Sequence, residues 1–163
     1  MSRAFVKEDG PDNEPLPDLP ISPHPNYVTP SGLAALRARL AETQARLAGL
    51  RARAERLDKL PEAAAERDIR YLEARLKSAI LVDPARQPAA EVAFGATVTV
   101  EDEDGQARQF RIVGEDEAAA GKGWITAQSP LARALIGSGV GDVVEWRRPG
   151  GTVELEITAI RYD

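Results

Sequence analysis

From Leu33 onward, leucines recur at alternating steps of three and four, which leaves a chain few options. Leu33, Leu36, Leu40, Thr43, Leu47, Leu50, Ala54 and Leu57 trace a heptad seam with one polar interruption. So narrow a stripe asks for a partner helix. It follows Pro61, where Ala65, Ile69, Leu72, Leu76 and Ala79 repeat the spacing. Because Lys59, Leu60 and Pro61 leave room only for a tight connection, the second helix is expected to run back antiparallel along the first, with Asp58 to Glu62 at the tip. Thr29 is placed as the N-cap of the first helix and Pro30 as its first residue. Pro84 stops the second helix at or before Asp83. Residues 29–83 thus predict a coiled-coil finger.

The flanks differ in kind. Before the finger, Pro11, Pro15, Pro17, Pro20, Pro23 and Pro25 forbid a helix, so residues 1–28 read as an acidic, extended, polyproline-type tail. After a linker at residues 84–91, the period changes to alternation. Phe94 to Glu101, Gln109 to Val113, Trp124 to Ala127, Val143 to Arg147 and Thr152 to Ile160 read as strands. Asp104-Gly105 and Pro149-Gly150-Gly151 read as hairpin turns, and Pro130 to Ile136, closed by Gly137, as a short helix under a curved sheet. The expected class is α+β: a helical hairpin followed by an antiparallel sheet domain at residues 92–163.

Charge is unevenly spread. The finger carries 11 basic and 8 acidic side chains, whereas residues 84–163 carry 8 and 13. A basic face including Arg46, Arg53, Arg56 and Lys59 suits an acidic channel wall or nucleic acid, and equally suits the solvated outside of a coiled coil. No base-reading motif accompanies it. With no cysteine and His24 as the only histidine, the usual zinc sets are excluded. No run of about 18 apolar residues is present to span a membrane, and Met1 to Pro25 lacks the apolar core of a signal peptide, so a cytoplasmic protein is expected.

Several blocks stand in a familiar order: FGATVTV at residues 94–100, FRIVGEDE at 110–117, ITAQSPLARALIG at 125–137, GDVV at 141–144 and Pro149-Gly150-Gly151. Together they resemble the bacterial Gre transcript-cleavage factors, and Arg70 to Asp83 resembles the returning arm of that family. The resemblance covers residues 29–163. It implies an FKBP-like domain that docks on the rim of the RNA polymerase secondary channel, and a finger that enters the channel toward the RNA 3′ end. Acidic fingertip residues would help hold a second catalytic Mg²⁺, so that the polymerase cleaves its own backtracked transcript. Such a factor is a monomer and no enzyme itself. It has no cofactor of its own, only a share in the polymerase Mg²⁺. Ser129 and Pro130 match the docking loop, and Gln128 stands where some members carry an acidic residue.

The fingertip departs from the pattern. The family's Gly-Asp pair followed by Glu-Asn-Ala and an aromatic residue is absent, and Asp58-Lys59-Leu60-Pro61-Glu62-Ala63-Ala64-Ala65-Glu66 stands there instead. Each arm is also about one heptad shorter, or about 10 Å of reach, whereas a carboxylate must come within about 2.1 Å of Mg²⁺. Two readings follow. In the first, the protein occupies the channel and regulates elongation, pausing or initiation with little or no cleavage. In the second, Asp58 and Glu62 replace the acidic pair in a true cleavage factor. Two further readings need other features. A prolyl isomerase needs Phe94, Phe110, Trp124, Trp146 and Tyr162 to converge, and a generic coiled-coil module that pairs with itself would not be monomeric.

Overall fold

The structure, a computed structural model, describes residues 14–163. The Met1 to Asn13 part of the expected tail lies outside the described residues. The chain runs through β1 (Tyr27–Val28), α1 (Pro30–Arg51), α2 (Leu60–Ser78) and β2 (Ile80–Leu81). Then come β3 (Ala96–Glu101), β4 (Ala107–Val113), β5 (Trp124–Thr126), α3 (Pro130–Leu135), β6 (Val143–Arg148) and β7 (Gly151–Tyr162). Two compact units result: residues 36–77 with the described tail up to His24, and residues 25–35 with 78–163.

In the first unit the seam is buried where it has a partner. Leu36, Thr43 and Leu47 on α1, and Ala65 and Leu72 on α2, are covered. Thr43 meets its polar obligation locally, donating to the Arg39 carbonyl at 2.7 Å. Arg46 pairs with Asp68 at 3.5 Å and Arg51 with Glu66 at 2.8 Å, so a step up α1 is a step down α2. The hairpin is nevertheless looser at its end than the heptads suggest. α1 stops at Arg51 and α2 starts at Leu60, so Ala54 and Leu57 leave the seam, and Leu57 is 87% exposed. The expected tight turn at Lys59 to Pro61 is instead a connection over residues 52–59, and Glu62 belongs to α2. An apolar position is held helical by what it packs on, and Ala54 and Leu57 lie past the end of α2.

Residues 14–22 form an extended strap along α2. Arg70 donates to Asp18 at 2.6 Å and to the Leu16 carbonyl at 2.9 Å. Asp18, Leu19 and Ile21 line a groove with Arg70, Tyr71 and Ala74, and Glu14 and Pro15 lie beside Lys59, Glu62 and Glu66. The strap therefore runs in the same direction as α2.

In the second unit β1 pairs in parallel with β2, Tyr27 opposite Ile80 and Val28 opposite Leu81. The second helix, expected to end at or before Asp83, ends at Ser78, and Ile80 and Val82 give their amides to the Asn26 and Val28 carbonyls. The main sheet has the order β5-β4-β3-β7-β6. Its inner face supplies Val98, Val100, Phe110, Ile112, Val144, Leu155 and Ile157, and α3 closes the core with Leu131, Ala132 and Leu135. Gly137 ends that segment with φ +88°, a left-handed conformation that suits glycine.

One expectation about the sheet is corrected. β5 pairs with β4 in parallel, Arg111 opposite Trp124, so the sheet is mixed rather than antiparallel. A hairpin turn would have reversed the chain. Residues 114–123 instead carry it back alongside Arg111 through a turn at Ala120–Lys122, closed by Gly123 at φ +75°.

Candidate functional site

Both candidate tip acids have partners at home. Asp58 precedes α2, and its Oδ1 accepts the Leu60 amide at 3.0 Å. Glu62, in the first turn of α2, is only 5% exposed. Its carboxylate takes a two-pronged bond from Arg56, Nε to Oε1 at 2.8 Å and the terminal amine to Oε2 at 2.6 Å. That fork holds the Glu62 carboxyl below its ordinary range, against the opposing pull of burial, with Arg53 and Arg51 adding to the depression. Glu62 is therefore a fastening between the connection and α2.

The predicted basic face is largely spent in the same way. Arg46 serves Asp68, and Arg56 serves Glu62. Arg53 donates to the carbonyls of Leu50 at 3.2 Å and Asp58 at 3.4 Å, closing the end of α1. Lys59 is exposed in the connection. Among the described residues, no three carboxylates or histidines are grouped to hold a metal ion. With Glu62 bound in the Arg56 fork and Asp58 capping α2, the tip does not fit a Mg²⁺ site.

At the other predicted site, Ser129 is the N-cap of α3. Its hydroxyl accepts the Ala132 amide at 3.3 Å and donates to the Thr126 carbonyl at 2.8 Å. Pro130 is the exposed first residue of that helix. Gln128 is half-buried in a shallow pocket with Tyr27, Phe94, Gly114 and Ala127. The Ser-Pro pair is thus built for a sharp, rigid entry into α3. Past the helix, Ile136, Val140 and Val143 are exposed apolar residues that period counting missed because no regular element contains all three.

The aromatic side chains do not converge on one pocket. Phe110 meets Trp146 edge-on at 5.8 Å, and Phe94 and Tyr162 pack on the core from elsewhere. Trp124 lies under Lys122 at 4.8 Å and Arg111 at 5.8 Å, in a shallow pocket that Phe110 also lines. No helix among the described residues is long and apolar enough to cross a membrane.

Residues 87–162, which hold this sheet and α3, match the family described as "Transcription elongation factor, GreA/GreB, C-term". This part of the chain is thus similar to the C-terminal domain of the GreA/GreB factors. The chain is 47% identical over 96 residues to transcription elongation factor GreA of Methylococcus capsulatus, a stretch that covers 58% of this chain and 61% of that protein. To transcription elongation factor GreB of Haemophilus influenzae it is 42% identical over 98 residues, covering 60% and 62%. The chain thus matches less than two thirds of the length of these GreA and GreB relatives. Among solved structures, GreA factor homolog 1 (Gfh1) of Thermus thermophilus is similar at 25% identity and a TM-score of 0.40, over 85% of this chain and 99% of that one.

Proposed function

We propose that this protein is a GreA/GreB-family transcription elongation factor that binds RNA polymerase at the rim of the secondary channel through its FKBP-like C-terminal domain. Its two long helices form a short coiled-coil finger that enters the channel toward the RNA 3′ end. There the factor regulates elongation, pausing or initiation with little or no stimulation of transcript cleavage. It performs no catalysis itself and works as a cytoplasmic monomer. Ser129, Pro130 and Gln128 form the docking side.

The polymerase half of this reading is supported by the match of residues 87–162 to the GreA/GreB C-terminal family and by the 47% identity to a GreA over 96 residues. The Arg56–Glu62 fork carries the finer half. A carboxylate held in two charge-assisted bonds must give up both before it can reach for a metal. The finger also ends early: α1 stops six residues before the seam does, or about 9 Å at about 1.5 Å per residue.

The test is transcript cleavage in a stalled, backtracked polymerase complex, with wild-type protein and with Asp58→Ala/Glu62→Ala, beside a binding assay. Binding without stimulated cleavage is the expected result. Stimulated cleavage that disappears in the double variant while binding persists would make Asp58 and Glu62 the replacement tip acids and overturn the reading.

A further inference from the structure

α1 has no acidic residue in its first turn to answer the exposed amides and positive end of a long helix. The missing carboxylate comes from the far side of the sequence. Glu117, in the loop after β4, has a side chain only 8% exposed, and both its oxygens are taken by α1 and its cap. Thr29 Oγ1 donates to Oε2 at 2.6 Å and Ser31 Oγ donates to Oε1 at 2.8 Å. The Thr29 hydroxyl has one proton. Once Glu117 takes it, the oxygen lone pairs face the helix, and the Gly32 amide donates to that oxygen at 3.0 Å. Arg111 stands behind, 4.0 Å from Oε1 and 3.4 Å from the Ser31 hydroxyl.

Two glycines record how close this approach is. A Cβ on Gly32 would sit 2.6 Å from Glu117 Oε2, and one on Gly114 would sit 2.6 Å from the Tyr27 carbonyl. Residues 27–32 and 114–117 therefore meet with no room for a methyl group at either position.

We infer that Glu117 is a positioning residue, a latch that caps α1 from the C-terminal domain and fixes its first turn there. α1 starts at Pro30, within this turn. With its side chain only 8% exposed and both oxygens occupied, Glu117 acts on the helix start. It ties the start of the finger helix to the domain that docks. This second consequence rests on the function proposed above; the latch itself does not.

Hydrogen exchange on the full-length protein tests the latch. In Glu117→Ala, exchange at Gly32 and Leu33 should accelerate by about tenfold, the scale of losing a cap and its charged partner. Amides of Val98, Ile112 and Ile157 in the sheet should keep wild-type rates, and Glu117→Gln, which retains one acceptor oxygen, should fall between. Gly32→Ala disturbs the same contact from the helix side, so it should reproduce the effect and add little to Glu117→Ala. Unchanged exchange at the first turn in both variants, or effects that simply add, would overturn the latch.

On polymerase, Glu117→Ala should bind like the wild type yet lose its effect on elongation. Full retention of that effect would overturn the positioning role. Wild-type protein that fails to bind polymerase would remove the proposed function and this role with it, while the exchange result would still decide the latch.

Discussion

Leu72→Ala separates the two units of this protein by arithmetic. Among the described residues of the helical unit the buried apolar side chains are Leu36, Leu47, Ala65 and Leu72, and Leu72 is 1% exposed. Truncating a buried leucine to alanine costs about 2–5 kcal/mol in lost transfer energy and cavity. Most helical stability in a protein comes from packing of a buried face rather than from propensity, so this pair of helices depends on that small core. With a urea slope of about 1 kcal/mol/M for a small unit, the midpoint should fall by about 2 M or more. The assay reads the units separately. α1 and α2 hold 22 and 19 helical residues against 6 in α3, so far-ultraviolet circular dichroism follows the finger. Trp124 and Trp146 both lie in the sheet, so fluorescence follows the C-terminal domain. The dichroism midpoint should drop while the fluorescence midpoint stays. If both dropped together by the same amount, Leu72 would be supporting the whole protein and the assignment of its packing to the helical unit would be refuted.

Three further outcomes follow from single contacts. Because Arg56 holds the Glu62 carboxyl below its ordinary value, the fork contributes fully above the unfolded carboxylate range and is lost as pH falls through the depressed folded value; the helical urea midpoint of the wild type should therefore fall more between neutral pH and about pH 3 than that of Glu62→Gln, and parallel falls would refute it. Arg70→Ala removes both the Asp18 pair and the bond to the Leu16 carbonyl, so limited proteolysis should cut residues 14–21 faster than in the wild type, with wild-type rates counting against the strap. Glu145 lies directly opposite Glu154 across β6 and β7, so Glu154→Lys should raise the fluorescence-detected stability of the sheet by about 0.2–1 kcal/mol, and a loss would contradict the register.

A face is legible in sequence because the burial that makes it recurs every turn or every second residue. Val98 and Val100, or Leu155 and Ile157, declare the sheet core in this way, and Ser129-Pro130 with Gly137 declares both ends of α3. The extent of a partner is another matter. Ala54 and Leu57 continue the heptad count, yet α2 begins only at Leu60, so the count outruns the contact that gives it meaning. Direction is equally hidden where a loop can return the chain either way, and β5 lies parallel to β4 for that reason.

The same limit governs the candidate sites. Asp58 and Glu62 look like a pair because they stand four apart, but what decides their chemistry is which donors already hold their oxygens. The Leu60 amide and the Arg56 fork are short-range partners, and even these are invisible to spacing alone, since Arg56 has several other acids within reach along the chain. Glu117 is the extreme case: it caps α1 across 88 residues from Thr29, and nothing in the GEDE stretch at residues 114–117 marks its third acid as different from the others. Its role follows from two glycines that admit it and two hydroxyls that bind it, a combination assembled only when the strands before it have folded. The part of the chain that most resembles its relatives therefore also supplies the residue that fixes where the divergent part begins.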